Sequence, residues 1–261
     1  MSDEDDPPVA PKSARKTPAR SRPGRRGKAA ARARGGPLAR ARAWLWWLFV
    51  RAGIAVVGFF GLLILLFSFV PPPTNIYQMQ ESHRLGGIKR EWVSWDEIAP
   101  VMGRAAVAAE DANFCNHWGF DMAAIRAAID AGGNRGASTI SQQVVKNVLL
   151  WQGRSWARKA LEALLTPAVE LVWSKQRILE VYLNVAEFDE GVFGVEAAAR
   201  HYFGVSARDL SGVQAARLAA ILPDPKRRSA ARPSDFVQKR ARQILAGAET
   251  IAADGRADCF R

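Results

Sequence analysis

The sequence has little cysteine and histidine, and this limits the chemistry that it can support. Cys115 and Cys259 are too few for a disulfide framework and lack the spacing of zinc ligands, and whether they pair stays open. The histidines, His83, His117 and His201, form no HExxH motif, and no Walker or GxGxxG pattern is present. These absences argue against a zinc hydrolase and against a nucleotide-binding protein.

Acidic residues are scarce relative to basic ones, but the imbalance is local. The 261 residues include 37 Lys and Arg against 25 Asp and Glu, which gives a net charge of +12. Residues 1–51 hold 13 of the basic residues and four of the acids, so the remaining 210 residues carry a net charge of only +3. A nearly neutral body is a poor surface for tracking phosphates, and we expect no nucleic-acid partner.

Large apolar side chains are almost absent from residues 1–43. A segment of Pro, Ala, Arg, Gly and Ser buries too little surface to offset its chain entropy, so we predict a disordered basic tail there. A run of 19 uncharged residues follows at 52–70, close to the length of a membrane-spanning helix. Tryptophans before this run are typical of an interfacial belt, and a run of prolines ends it. We therefore predict a transmembrane anchor over 44–70.

A cleaved signal peptide also combines a basic region with an apolar one. Its apolar region usually has about 7 to 15 residues and precedes small residues at a cleavage site. Here the apolar run is longer and ends with Phe67, Phe69 and three prolines, so we favour the anchor. The positive-inside rule then places the tail in the cytoplasm. Residues 71–261 would form a periplasmic domain of a single-pass inner-membrane protein.

After residue 73 the sequence shows repeated helix start signals. Ser94 and Glu97 have capping-box spacing ahead of a predicted helix that reaches Glu110. Further helix starts are predicted at Asp121, Ser138 or Thr139, Ser155, Ser174, Ser211 and Ser234. Pro167 is expected to kink one of these helices, and strand signals are limited to residues 88–93. The body is therefore predicted to be one mainly α domain.

Two adjacent acids, Glu110 and Asp111, follow a very apolar run at 105–109. Repulsion and desolvation at such a position would raise the pKa of one carboxyl group, which suits a general acid or base. A solvated helix end is the simpler interpretation of an isolated acidic pair. The pair alone does not decide between the two.

Polar and basic residues follow in two further segments. On a helix, Gln142 and Lys146 would share a face with Gln143 beside them, as in a sugar-binding groove or a plain exposed surface. Arg158 and Glu162 stand four residues apart, a spacing that an ordinary ion pair also explains. Together the segments predict a carboxylate base facing cations across a polar groove. Such cations suit glycosyl transfer from a diphosphate donor, whereas a glycosidase needs a second acid.

Ordered motifs then indicate a family. They are EDANFCNHWG (110–119), GASTISQQVVKN (136–147), RKALE (158–162), KQRILEVYLN (175–184), GVFGVEAAARHYFG (191–204) and LAAILPDP (218–225). In this order, over roughly residues 75–245, they resemble the peptidoglycan glycosyltransferases, glycosyltransferase family 51. The chain is most similar to monofunctional members, because it ends soon after the module. The single SxxK pattern, Ser13 to Lys16, lies in the tail and no SxN or KTG is present, so we expect no transpeptidase activity.

The resemblance implies a lysozyme-like, two-lobed α-helical fold, with the smaller lobe next to the membrane, that polymerises lipid II. Glu110 matches the catalytic base, which deprotonates the 4-hydroxyl of the acceptor N-acetylglucosamine for attack on C1 of the donor N-acetylmuramic acid. Inversion gives a β-1,4 bond and releases undecaprenyl diphosphate. Glu162 matches the second family glutamate. Lys146, Arg154 and Arg158 match positions that hold the diphosphate.

Other matched positions are implied to shape or support the cleft: Asp111, Phe114, His117, Ser138, Thr139, Gln142, Gln143 and Asn147. Leu161 and Gln214 differ from residues that some relatives carry, which affects local contacts only. The resemblance implies an optional divalent cation, Mg²⁺ or Mn²⁺, at the diphosphate, although no dedicated protein ligand cluster is evident. Lipid II and the lipid-linked glycan strand are the expected partners. Cell-division or elongation proteins stay open as further partners.

Two other functions remain as alternatives. A lytic, lysozyme-like glycosidase could use the same fold and one glutamate, but the set of cations argues against it. A catalytically silent scaffold could bind glycan or other proteins through the tail and anchor, but the intact motif positions argue against that.

Overall fold

The computed structural model describes residues 36–132, 136–153 and 155–261. Residues from Val50 onward form one compact unit, which carries every described site residue. Residues 1–35, most of the predicted disordered tail, lie outside the described residues. The predicted diphosphate ligand Arg154 also lies outside them.

The described chain is mainly α-helical, which confirms the predicted fold class. The helices are α1 Pro37–Phe67, α2 Ile76–Leu85, α3 Pro100–Glu110, α4 Met122–Asp130, α5 Ile140–Leu149, α6 Trp156–Val172, α7 Lys175–Val185, α8 Val195–Phe203, α9 Gly212–Ile221 and α10 Asp235–Ala253. The strands are β1 Lys89–Arg90, β2 Glu187–Asp189 and β3 Val192–Phe193. Short 3₁₀ turns lie at Trp95–Glu97, Phe114–Asn116, Ala207–Asp209 and Asp258–Phe260.

Helix α1 is long and apolar enough to cross a membrane. It begins at Pro37, so the prediction of disorder up to residue 43 is wrong for residues 37–43. These seven residues are Pro, Leu, Ala and Arg, and Leu, Ala and Arg favour helix strongly, while proline is suited to the first helical position. The helix ends at Phe67, three residues before the predicted end.

Two residues at the junction of α6 and α7 hold the C-terminal end of α1. The indole of Trp173 donates a hydrogen bond to the backbone oxygen of Ile64 at 2.7 Å. The guanidinium of Arg177 donates to the backbone oxygens of Phe67, at 2.9 and 3.1 Å, and of Val70, at 2.8 Å. The last carbonyl groups of a helix have no partner within the helix, and a cation also suits their partial negative charge. The end of α1 is therefore docked on the folded unit.

The predicted helix starts are confirmed where an N-cap side chain bonds the first turn. These caps are Asp121, Thr139, Ser155, Ser174, Ser211 and Ser234. The capping box of Ser94 and Glu97 encloses only a 3₁₀ turn, and α3 starts later with Pro100 at its first position. Helix α6 continues through Pro167, so this proline does not end the helix.

A small sheet with the order β1-β3-β2 lies beside the helices. β1 pairs with β3 in parallel, with Lys89 opposite Val192, and β2 pairs with β3 antiparallel. The predicted strand over 88–93 is shortened to Lys89–Arg90. Sequence analysis missed β2 and β3, since strands of two or three residues show no alternating pattern.

Helices α3, α9 and α10 pack on one another, and α5 packs on α6 and α7. The contact faces of α3 and α9 are rich in buried alanine, which allows close helix packing. A disulfide between Cys115 and Cys259, left open by the sequence, joins the Phe114–Asn116 turn to the end of the chain. The core thus supports α3 and α5, the two helices that meet at Glu110.

Replacement of Arg177 by alanine should lower the free energy of unfolding by roughly 1 to 3 kcal/mol, because the helix-end carbonyls it caps would lose their partner. The measurement is thermal or denaturant unfolding of the detergent-solubilised protein. The control is Arg227→Ala, since the side chain of Arg227 is 85% exposed. Equal stability of the two variants would show that Arg177 does not hold the end of α1.

Candidate functional site

Glu110 is the last residue of α3 and is half-buried. The side-chain amide of Gln143 in α5 donates a hydrogen bond to its Oε2 at 2.9 Å. Arg240 of α10 donates to the backbone oxygen of the preceding residue, Ala109, at 3.2 Å. Because a helix end held in this way has little freedom, the carboxylate of Glu110 is kept in one orientation.

Asp111 has different partners from Glu110, although the two are adjacent in sequence. Its side chain is buried, and Oδ1 lies 2.8 Å from Nε2 of His117. Oδ2 accepts a hydrogen bond from the backbone N–H of Ile140, the first residue of α5, at 3.0 Å. A carboxylate is favourable at a helix N-terminus, where free N–H groups carry partial positive charge. Asp111 therefore joins the segment after α3 to the start of α5.

Thr139 and Gln142 form a reciprocal capping box at the start of α5. Gln142 is only 5% exposed, and its Oε1 accepts from the backbone N–H of Thr139 at 3.1 Å. The hydroxyl of Thr139 donates to the backbone oxygen of Gly119 at 2.7 Å. The Gln142 side chain therefore caps the helix, and its expected place in a sugar-binding groove stays a prediction.

Glu162 is buried, with 3% exposure, and two cations of its own helix bind it. Nη1 of Arg158 lies 2.8 Å from Oε2, and Nζ of Lys159 lies 2.5 Å from Oε1. Lys159 also donates to the hydroxyl of Ser138 at 3.3 Å. Glu162 thus holds Arg158 and Lys159 in place, and its assignment to the catalytic residues stays a prediction. Lys159, which lies within the RKALE motif, is thus a further cation beside Arg158.

Lys146 lies on α5 one turn after Gln143. Burial lowers its pKa, and the neighbouring cations Arg158 and Lys159 lower it further, against the opposite effect of Glu162 and Glu110. Within the described parts of the chain its ammonium group has no hydrogen-bond partner. A cation in such surroundings is stabilised by an anionic ligand.

Two cavities are lined by Glu110 or by its hydrogen-bond partner Gln143. Cavity A, of about 230 Å³, is lined among others by Glu110, Asp111, Ser138 and Thr139. Cavity B, of about 190 Å³, is lined among others by Tyr77, Gln143, Lys146, Asn147, Tyr182 and Glu187. Glu110 lines the first cavity and its hydrogen-bond partner Gln143 lines the second. The Glu110–Gln143 hydrogen bond therefore connects the linings of the two cavities.

Cavity B brings in two residues that the sequence analysis missed. The hydroxyl of Tyr77 donates to Oε2 of Glu187 at 2.6 Å, and Lys226 lies 3.6 Å from Oε1 of the same carboxylate. Burial raises the pKa of Glu187. Burial and the hydrogen bond to Glu187 raise the pKa of Tyr77 to about 12. No motif links residues so far apart in sequence, so only the fold reveals this pair.

Phe114 and His117 support the site from below the surface. The His117 side chain is 7% exposed and bonds Asp111. Lys175 of α7 donates to the backbone oxygen of His117 at 2.7 Å, and its ammonium lies 4.4 Å from the centre of the Phe114 ring. These two motif residues therefore maintain the position of Asp111.

The described residues contain no group of three or more His, Cys, Asp or Glu that could hold a metal ion. The acid nearest the basic residues, Glu162, is already bound by Arg158 and Lys159. A divalent ion held mainly by the diphosphate would need fewer protein ligands than such a group, and it stays a prediction.

The family model described as Transglycosylase matches residues 78–249. This is well over half of the chain. The chain belongs to the transglycosylase family.

Similar curated proteins carry the name biosynthetic peptidoglycan transglycosylase. One from Jannaschia sp. (strain CCS1) is 66% identical over 197 residues, covering 76% of this chain and 82% of the relative. One from Pseudomonas fluorescens (strain SBW25) is 52% identical over 204 residues, covering 74% and 85%. One from Cronobacter sakazakii is 50% identical over 219 residues, covering 80% and 91%.

The predicted resemblance to the peptidoglycan glycosyltransferases is thus confirmed. The matched range contains Glu110 and Asp111, the capped start of α5 and the basic residues of α6. Helix α1 and residues 250–261 lie outside the matched range.

Replacement of Asp111 by asparagine should lower the free energy of unfolding by roughly 1 to 3 kcal/mol and reduce glycosyl transfer, because one of its two buried acceptor positions becomes a donor. Denaturant unfolding and a turnover assay measure the two effects. Asp130→Asn, an exposed change at the end of α4, is the matched control. Full activity in the Asp111 variant would contradict the role of this carboxylate in joining α3 to α5.

Proposed function

We propose that this transglycosylase is a membrane-anchored peptidoglycan polymerase that transfers the growing lipid-linked glycan strand onto lipid II. The observation that carries the proposal is that Glu110 lines one cavity and is hydrogen-bonded to Gln143, which lines a second cavity together with the cation Lys146. Transfer between two lipid-linked substrates requires two binding regions that share one base. The names of the relatives and the family motifs support peptidoglycan as the product.

Glu110 acts as the general base in this proposal. It takes the proton of the acceptor 4-hydroxyl, whose oxygen attacks C1 of the donor from the face opposite the diphosphate. A β-1,4 bond forms, the bond from C1 to the diphosphate oxygen breaks, and undecaprenyl diphosphate leaves with the electron pair. The hydrogen bond from Gln143 keeps the carboxylate in position for this transfer.

The basic residues stabilise the leaving diphosphate. Lys146 is a half-buried cation without a hydrogen-bond partner in the described chain, and Arg158 and Lys159 are held by one carboxylate, that of Glu162. This group keeps a net positive charge, which is what charge developing on a departing diphosphate needs. We assign Arg154 to the same site by its motif position. The proposal needs no divalent ion held by protein ligands.

A lytic glycosidase receives less support. A glycosidase that works with two carboxylates needs a second acid that protonates the leaving oxygen. The other motif glutamate, Glu162, is buried and neutralised by two cations, and Asp111 is occupied by His117 and the start of α5.

We place the domain outside the cytoplasm, at the outer face of the inner membrane. Helix α1 is long enough to span the membrane once, and the basic residues before it favour a cytoplasmic N-terminus. The disulfide between Cys115 and Cys259 supports this orientation, because disulfides persist mainly in oxidising compartments.

Replacement of Glu110 by glutamine should reduce polymerisation about 10²-fold to 10⁴-fold, since the amide cannot accept the proton. The assay follows the length of strands made from labelled lipid II by detergent-solubilised protein. Glu249→Gln, an exposed change on α10, is the control, and unfolding curves check that the Glu110 variant is folded.

Three outcomes would contradict the proposal. Near-normal polymerisation by the Glu110 variant would remove it as the base. Release of soluble muropeptides from sacculi, without strands from lipid II, would indicate a lytic enzyme. No reaction by the folded parent protein with either substrate would indicate a scaffold.

The lowered pKa of Lys146 predicts a pH dependence. The ammonium form is present below this pKa and is lost as the pH rises through it, so kcat/KM for the lipid-linked donor should fall at a lower pH than an ordinary lysine would give. Arginine stays charged, so Lys146→Arg should move the alkaline limb to higher pH. Lys239→Arg, an exposed change, should leave the profile as in the parent. An unmoved limb in the Lys146 variant would exclude this lysine as the titrating cation.

A further inference from the structure

The last residues of the chain contact the segment that carries Glu110. We call Asp254–Arg261 the C-terminal clamp and Glu110–His117 the catalytic segment. The family match ends at residue 249, so the clamp lies beyond the matched part of the chain. Nothing in the proposed reaction uses it.

Three kinds of contact join the clamp to the catalytic segment. The disulfide from Cys115 to Cys259 is covalent and spans 144 residues of sequence. Nη1 of Arg256 donates a hydrogen bond to the backbone oxygen of Ala112 at 3.2 Å. The ring of Phe260 packs on that of Phe114, with 6.2 Å between the ring centres.

The aromatic contact is buried on both sides. Phe260 is 2% exposed and Phe114 is fully buried. Phe260 also packs edge-on against Trp95, with 6.3 Å between ring centres. Opening of the clamp would expose apolar surface and remove one wall of the Phe114 site.

A short path leads from Phe114 to Glu110. The backbone N–H of Phe114 donates to the backbone oxygen of Asp111 at 3.0 Å. Asp111 follows Glu110 directly and bonds both His117 and the first N–H of α5. A shift of Phe114 would therefore be transmitted to Asp111, which holds the end of α3 against the start of α5, the helix that carries the Glu110 partner Gln143.

We propose that the clamp is a positioning element for Glu110 and that oxidation of Cys115 and Cys259 outside the cytoplasm completes it. Each thiol gives up one proton and one electron as the sulfur–sulfur bond forms. A disulfide-bearing oxidant accepts them and becomes a dithiol by exchange. The proposal rests on the proposed function for its activity readout. It predicts an enzyme that is fully active only after export.

The test compares the oxidised parent with the parent reduced by a phosphine, with thiol labelling to show that both cysteines are free. We expect kcat for lipid II polymerisation to fall about threefold to tenfold on reduction, since a small misplacement of a catalytic group slows the reaction. KM should stay within about twofold, because the cations proposed to hold the donor lie on α5 and α6, outside the clamp. Reoxidation should restore kcat.

A double variant, Cys115→Ser with Cys259→Ser, separates the disulfide from effects of the reagent. It should match the reduced parent and should not respond to the phosphine. If it does not fold, Phe260→Leu keeps the disulfide and should lower kcat in the same direction by loosening the Phe114 contact.

Hydrogen exchange gives a readout that does not depend on catalysis. Amides of the catalytic segment should exchange faster in the reduced parent than in the oxidised parent, while those of α9 should not change. If the oxidised parent makes no polymer, the proposed function fails but this comparison still tests the clamp. Full kcat in a protein with both thiols free would overturn the proposal. So would a loss of activity that only follows the unfolded fraction, since the disulfide would then be a stabilising link alone.

Discussion

The two hydrogen bonds of the Asp111 carboxylate are the constraint on which the site depends. One goes to His117 and the other to the first backbone N–H of α5. They join the end of one helix to the start of another, and each helix contributes half of the Glu110–Gln143 pair. Free carboxylates prefer water, so this burial is stable only because both oxygens have partners and the helix terminus is positive. Of the two adjacent acids, Asp111 thus has a structural role, and Glu110 lines the cavity.

On the basic side of the site, too, a buried carboxylate is stabilised by nearby partners. Burying Glu162 would be costly without partners, and Arg158 and Lys159 supply them from one and the same helix face. Arg158, Lys159 and the nearby Lys146 carry three positive charges, and Glu162 supplies one negative charge. This group therefore keeps a net positive charge. A pocket that leaves positive charge uncompensated binds an anion, and it is rigid because the acid locks two of the cations. The motif glutamate therefore contributes to the site through its neighbours.

Much of the architecture was predictable because it depends on local chemistry. Ser155, Ser174 and Ser234 cap helices through contacts three residues away, so the sequence alone predicts them. Features that depend on distant residues were not predictable in this way. Cys115 and Cys259 are 144 residues apart, and Tyr77 meets Glu187 across 110 residues. The capping contact of Gln142 was not predicted, because its position on the helix suits a cap and a groove equally. Family motifs identify the residues that matter, and burial then separates those that face a cavity from those that support it.

The docked end of α1 has a consequence for how the enzyme meets its substrates. Trp173 and Arg177 bind the last carbonyls of the helix directly, so no slack linker separates the end of α1 from the domain. A flexible tether would let the active site sample many distances from the membrane. The effective concentration of the site at any one distance would then fall as the tether lengthens. Here the elevation of Glu110 above the end of α1 is instead a constant of the fold. With α1 in the bilayer, encounter with the proposed lipid-linked substrate becomes a search in two dimensions. The distance from the membrane at which the enzyme can act is then determined by its own fold.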